Sequence, residues 1–140
     1  MDLTRRKVLT IGTGVFAASA LVGLPAFASA TDDAIAALTG GADLGEGAIT
    51  LTAPEIAENG NTVPISVGAP GAVAITLFAD GNPVPNVATF NFGPLSASRS
   101  AATRIRLAKT QNVVAVAKME DGSFQMAKSE VKVTIGGCGG

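Results

Sequence analysis

The segment "TIGGCGG", Thr134 to Gly140, contains the only thiol of the chain, Cys138, with two glycines on each side. A buried cysteine behaves as a small hydrophobe. Glycines cannot build a buried strand around Cys138, and only two residues follow it, so the thiol is expected to be exposed. No second cysteine can close an intramolecular disulfide, and one thiolate is too few ligands for a protein-built zinc site. The position is also wrong for a lipoprotein cysteine and is not the fourth from the end that prenylation requires. Two chemistries remain: a disulfide to another protein, or covalent carriage of a substrate on sulfur. An exposed thiol in an oxidising compartment is otherwise a liability, so its presence points to use.

The flanking residues Gly136, Gly137, Gly139 and Gly140 suit an arm. Without side chains they sample backbone angles closed to other residues and can thread a narrow cleft. If Ile135 is the last anchored residue, three residues at about 3.3–3.6 Å each carry Cys138 roughly 10 Å beyond the body. No cation lies next to the thiol in sequence. Its pKa is then expected near the reference of about 8.5, with only about a few per cent thiolate at neutral pH. Activation would come from whichever enzyme receives the arm, which describes a carrier rather than a catalyst.

Composition excludes much else. The 140 residues contain no His, Trp or Tyr, which removes His-based triads, imidazole metal sites, including copper electron transfer, and Tyr acid chemistry. A net charge of -1, with no basic cluster beyond the first residues, is not a nucleic-acid footprint. The length suits one domain, and no cofactor ligand set stands out.

Residues 1–30 read as an export address. "TRRKVL" precedes an uncharged run from Val8 to Ala30, and the paired Arg5 and Arg6 give it the look of a twin-arginine signal. Two small-x-small sites, Ala26-Phe27-Ala28 and Ala28-Ser29-Ala30, predict a mature chain starting at Ser29 or Thr31, with Thr31 favoured. Gly12, Gly14, Gly23 and Pro25 speak against a permanent membrane anchor. Losing Asp2, Arg5, Arg6 and Lys7 leaves 7 basic and 10 acidic residues, net -3. Such a signal exports folded cargo, and in the absence of a cofactor it suggests a chain exported with a docked partner. The expected location is the periplasm.

The elements that must position the thiol come next. "TDDAIAALTGG" predicts one short helix, with Asp32 and Asp33 at its start, Ile35 and Leu38 on one face, and Gly40-Gly41 as a stop. Runs rich in Val, Ile, Thr and Phe follow, separated by Gly, Pro, Asn and Asp. The predicted strands are Ile49–Ala53, Thr62–Val67, Val73–Ala79, Val87–Phe92, Ser100–Leu107, Val113–Lys118 and Phe124–Ile135, the last long enough to bend or split. Pro64 assigns the second run to an edge. Asp80-Gly81-Asn82-Pro83 ends one strand, and Asp121-Gly122 marks a hairpin. About seven strands at this spacing imply an all-β, immunoglobulin-like sandwich over residues 31–135, with the arm at 136–140. Phe78, Phe90, Phe92 and Phe124 are expected to fill the core. Arg99, Arg104, Arg106, Lys109, Lys118, Lys128 and Lys132 are expected on a solvated surface.

A terminal Gly136-Gly137-Cys138-Gly139-Gly140 on a β-rich chain with a twin-arginine-like signal resembles the SoxY family, the sulfur carriers of the periplasmic thiosulfate-oxidising Sox system. The resemblance implies that Cys138 holds the sulfur intermediates. It implies pairing with SoxZ, a second immunoglobulin-like subunit without an export signal, which would account for the folded, cofactor-free cargo. It also implies three enzyme partners: SoxAX, a haem enzyme that joins thiosulfate to the cysteine oxidatively; SoxB, which hydrolyses off sulfate; and SoxCD, which oxidises the remaining sulfane sulfur. The competing reading is a periplasmic interaction module whose tail cysteine forms a disulfide with a partner.

Overall fold

The structure, a computed structural model, describes residues 26–137. Arg5, Arg6, Cys138, Gly139 and Gly140 lie outside the described residues, as does most of the expected signal. The predicted helix is present as α1, Ala26–Thr39. It ends where expected because Gly40 and Gly41 take φ of 65° and 82°, left-handed values that suit a glycine helix stop. It starts earlier than expected. Ala26, Ala28 and Ala30 favour helix, so Asp32 and Asp33 lie inside α1 and no acidic residue occupies its first turn.

Nine strands follow among the described residues: β1 (Leu44–Gly45), β2 (Thr50–Thr52), β3 (Ile56–Asn59), β4 (Val63–Gly68), β5 (Ala72–Ala79), β6 (Asn86–Asn91), β7 (Ser100–Ile105), β8 (Gln111–Met119) and β9 (Phe124–Ile135). The seven predicted strands are all among them, and β9 runs unbroken. The two extra strands, β1 and β3, are short and carry no alternating pattern of their own. Both pair in parallel with β9, β1 near Phe124 and β3 from Lys132 to Ile135. They cover the edge of β9 that β8 leaves open, which removes a row of unpaired backbone groups.

The strands form a large sheet of order β1-β9-β8-β5-β6, with β3 also on β9, and a small sheet of order β2-β4-β7. The predicted sandwich is therefore present. The edge position assigned to β4 is corrected, since β4 is the central strand of the small sheet. Proline is tolerated there because β2 pairs only with Ser66, Val67 and Gly68. At Pro64 the strand has a neighbour on one side alone, Arg104 of β7, so the missing N–H costs no ladder bond.

Alternation then builds two cores. Val63, Ile65, Val67, Ile75, Leu77, Ile105, Leu107, Val113 and Val131 are buried between the sheets, with Phe90 of β6 and Phe92 just beyond it packed against them. The outer face of the large sheet places Phe78, Val114 and Val116 beneath Ile35 of α1, with Phe124 and Met126 alongside. All four phenylalanines thus pack in the cores, as expected. β5 and β8 are buried on both faces because the helix covers what an open sheet would leave to water.

Two polar features fix the geometry. Arg99 is not a solvated charge: one guanidinium nitrogen donates to the carbonyls of Ala72 (3.1 Å) and Phe92 (3.3 Å), and the other meets Glu120 at 3.3 Å. At the β8–β9 hairpin Gly122 has φ 85°, and Asp121 accepts from the Ser123 hydroxyl (2.6 Å) and amide (2.9 Å). These bonds, the hydroxyl first, hold the Asp121 carboxyl below its ordinary pKa. A depressed folded pKa gives a contribution that is complete above the unfolded value and fades as pH falls through the folded one.

The double layer makes Phe78 the side chain with most to lose. Phe78→Ala is expected to lower stability by about 3–5 kcal/mol in urea unfolding. Leu95→Ala, at a residue 97% exposed, is expected to stay within about 0.5 kcal/mol.

Candidate functional site

The site is built where β9 leaves the large sheet. β8 accompanies β9 as far as the Gln111–Val131 pair. Beyond it, the Val133 amide donates to the Thr110 hydroxyl at 2.9 Å while β3 continues on the other side. The strand ends at Ile135, which is 66% exposed. The next two residues are then held by the body. The Gly60 amide donates to the Ile135 carbonyl (2.7 Å), the Leu107 amide to the Gly60 carbonyl (2.8 Å), and the Gly137 amide to the Leu107 carbonyl (2.9 Å). Leu107 is fully buried, so this short ladder is anchored in the core between the sheets.

Three chain segments meet there at distances only glycine allows. A Cβ on Gly60 would overlap the Leu107 carbonyl oxygen and stand 2.7 Å from the Gly137 nitrogen. One on Gly137 would stand 2.8 Å from the Gly60 carbonyl oxygen, and one on Gly136 would overlap the Ala108 carbonyl oxygen. Backbone angles do not demand glycine at these positions, for none of the three has a positive φ. Close approach does.

Beneath the ladder lies a polar hub. Asn82 is 4% exposed. Its side-chain nitrogen donates to the Arg106 carbonyl (2.8 Å), and its oxygen accepts from the Ala108 amide and the Gln111 side chain (both 2.9 Å). Gln111 in turn donates to the Lys109 carbonyl (2.9 Å) and accepts from the Gly81 amide (2.8 Å). Asp80 closes the group through the Asn112 amide (2.8 Å) and side chain (3.0 Å). Residues 106–111 are therefore a held loop, and the carbonyls that meet Gly136 and Gly137 are fixed in place. The same loop exposes Arg106 and Lys109 on either side of the Leu107–Ala108 pair.

The structure thus separates the predicted arm residues. Gly136 and Gly137 belong to the body's rim, and the anchor counted at Ile135 moves to Gly137. Cys138, Gly139 and Gly140 lie outside the described residues. Gly60, Asn82 and Leu107 were not singled out from sequence as site residues. "NGNT" and "DGNP" read as turns, and nothing in their spacing shows that both turns face the chain's last segment. A surface cavity of about 550 Å³, lined by Gly68–Gly71 and Ser96–Ser100, sits at the other end of β4. At about 3.3 Å per residue it is roughly 17 Å along the strand from Val63, so it belongs to a separate region.

Fold and site together define a β-sandwich whose last described residue, Gly137, is held at a glycine-lined rim. The family model for the sulfur oxidation protein SoxY matches residues 35–138. The sulfur carrier protein SoxY from Chlorobium limicola f thiosulfatophilum is 45% identical, covers 77% of this chain and 99% of its own, and superposes with a TM-score of 0.67. The chain belongs to the SoxY family. A superoxide reductase (neelaredoxin) from Ignicoccus hospitalis is 18% identical over 62% of this chain and 80% of its own, with a TM-score of 0.55. At that identity the likeness is of fold alone. No curated protein matches the chain in sequence.

Asn82→Ala should leave the Ala108 amide and Gln111 without their shared acceptor. An expected loss of about 1–3 kcal/mol in unfolding free energy, measured with denaturant, checks the hub.

Proposed function

We propose that the protein is a carrier of sulfur intermediates in thiosulfate oxidation and that Cys138 bonds the cargo. The observation that carries this reading is membership of the SoxY family with a match that runs through to Cys138, on a chain with no other cysteine. In the first step the thiol and thiosulfate join as Cys–S–S–SO₃⁻, releasing one proton and two electrons to a haem enzyme of the SoxAX type. In the second, water attacks the terminal sulfur through a SoxB-type hydrolase; the S–SO₃ bond breaks, sulfate leaves, and a persulfide stays on Cys138. A SoxCD-type enzyme then oxidises that sulfane sulfur. The carrier supplies the nucleophile, and Arg106 and Lys109 supply positive charge at the end of the sandwich from which the anionic cargo departs.

The reading extends to export and pairing. Residues 1–30 act as a twin-arginine signal, and the mature chain works in the periplasm as a heterodimer with a SoxZ-like sandwich. Cleavage before Thr31 would leave Asp32 and Asp33 in the first turn of a shortened α1, where carboxylates favour the positive end of the helix dipole. No resident cofactor is proposed.

In a reconstituted system, Cys138→Ser is expected to abolish thiosulfate-dependent turnover while the unfolding midpoint stays at the wild-type value, because exchanging sulfur for oxygen there removes none of the core contacts or hydrogen bonds of residues 26–137. Turnover at the wild-type rate would contradict the reading. Purification from periplasm should give a chain starting at Thr31 together with a second, unlike small subunit. Arg5→Lys with Arg6→Lys should leave the protein in the cytoplasm. Export of the double variant, or a lone monomer at micromolar concentration, would contradict this part.

A further inference from the structure

We propose that the hollow at the far end of β4 is an oxoanion site, in which Arg99 and the hydroxyls around it hold a small anion of the sulfate or sulfonate class. It lies at the end of the sandwich opposite the rim, in a region the proposed function leaves unused, and it does not rest on the carrier reading. The floor is a row of the small sheet in register: Thr50 of β2, Gly68 of β4 and Ser100 of β7. The walls are the Ala69–Gly71 turn and the Ser96–Arg99 loop, and the space measures about 550 Å³. The Ala69 amide donates to the Arg99 carbonyl (2.9 Å) and the Ala72 amide to the Ala69 carbonyl (3.0 Å). These bonds tie the two walls together, so the hollow is formed before any ligand arrives.

Gly68 keeps the floor open. Its φ is not positive, and a Cβ there would stand 3.4 Å from the Ser100 Cβ, an ordinary contact. Turn geometry demands glycine at Gly71 and close approach demands it at Gly60, but neither reason applies at Gly68. It belongs to the outward row of β4 with Pro64 and Ser66, so a side chain at this position would stand in the hollow.

The lining selects the charge of the ligand. Thr50, Ser96, Ser98 and Ser100 bring hydroxyls, Arg99 brings a cation, and among the described residues no carboxylate lines the hollow. The Ser98 and Ser100 hydroxyls lie 3.0 Å apart, so one donates to the other and the second proton is left for a ligand. Arg99 is fixed by the Ala72 and Phe92 carbonyls and by Glu120, which leaves two of its five N–H groups without an acceptor among the described residues. The Glu120 amide donates to the Gly71 carbonyl (2.9 Å), which sets the guanidinium and its counter-charge beside the wall. The Arg99 side chain is 17% exposed and that of Glu120 62%, so water screens the carboxylate more than the cation. The sequence around the site has the same bias: residues 81–119 hold five Lys and Arg and no Asp or Glu. A fixed guanidinium among several hydroxyls suits an anion with three or more oxygens. Ala69, Pro70 and Ala97 leave apolar wall for a methyl-sized body, which a sulfonate carries.

The test follows amide shifts by NMR in the purified full mature chain, in chloride buffer, with sulfate and methanesulfonate as probes and glucose as the uncharged control. Both anions should shift the amides of Gly68, Ala69, Ala97 and Ser98 saturably, while Val114 and Val116 in the core under α1 keep their positions. Glu120→Gln removes the competing carboxylate at an exposed residue and should tighten binding by about threefold. A purely structural role for Arg99 would not produce that gain. Arg99→Lys should weaken binding by about tenfold. Because Arg99 also braces its loop, Gly68→Val is the second variant: it suits a strand, fills the hollow and should abolish saturable binding while the Val114 and Val116 signals stay native. Shifts that grow without saturation, or that persist in Gly68→Val, would mean an adventitious ion only and would overturn the site. Saturable binding of glucose in place of the anions would overturn the charge assignment, and unchanged affinity in Glu120→Gln would overturn the role given to Arg99.

Discussion

The close approach of Gly60, Leu107 and Gly137 is the constraint around which the working end of this sandwich is organised. Three backbone segments from distant parts of the sequence share one run of hydrogen bonds, and the spacing at Gly60, Gly136 and Gly137 excludes any side chain larger than hydrogen. For that run to exist, β9 must extend past β8, β3 must accompany it, and the 106–111 loop must hold its carbonyls outward. Each requirement has a visible cause. β3 supplies the parallel pairing from Lys132 to Ile135. Thr110 satisfies the Val133 amide that β8 no longer reaches. Asn82 and Gln111 hold the loop from below.

The hydrophobic layers make this rim stiff. The core between the sheets extends to Leu107, which is buried directly under the ladder. The second core, under α1, covers the other face of β8 and β5. Because β8 is packed on both sides, movement of its N-terminal end at Gln111 would disturb Val113 and Val114 as well, so the hub is tied to a strand buried on both faces. The rim that ends at Gly137 is thus carried by strands packed into both cores.

Much of this was legible in the sequence, for reasons that separate local from long-range information. Alternation in "AVAITLFA" and "EVKVTI" identifies strands because a period of two survives without knowledge of partners. Glycine pairs and Asp121-Gly122 mark stops because turn chemistry is local. Pro64 misled because an edge is a property of one position and not of a whole strand: β4 is central at Val67 and one-sided at Pro64. β1 and β3 were invisible because they are defined by what β9 lacks. The tail glycines were read through the backbone freedom they permit, whereas Gly136 and Gly137 are explained by the Ala108 and Gly60 carbonyls, more than twenty residues away in sequence. No local pattern encodes such a contact. Cys138 stands out in the sequence because it is the only cysteine of the chain, and it lies outside the described residues.

The central claim is that sulfur cargo is bonded to Cys138. Intact-mass and fragment analysis, under non-reducing conditions, of the mature chain after exposure to thiosulfate and a SoxAX-type haem enzyme tests it most directly. The account predicts a thiosulfate-derived adduct confined to the C-terminal fragment containing Cys138 and removed by reductant. A chain whose C-terminal fragment has an unmodified thiol, or one found only in a stable disulfide with another protein, would contradict it.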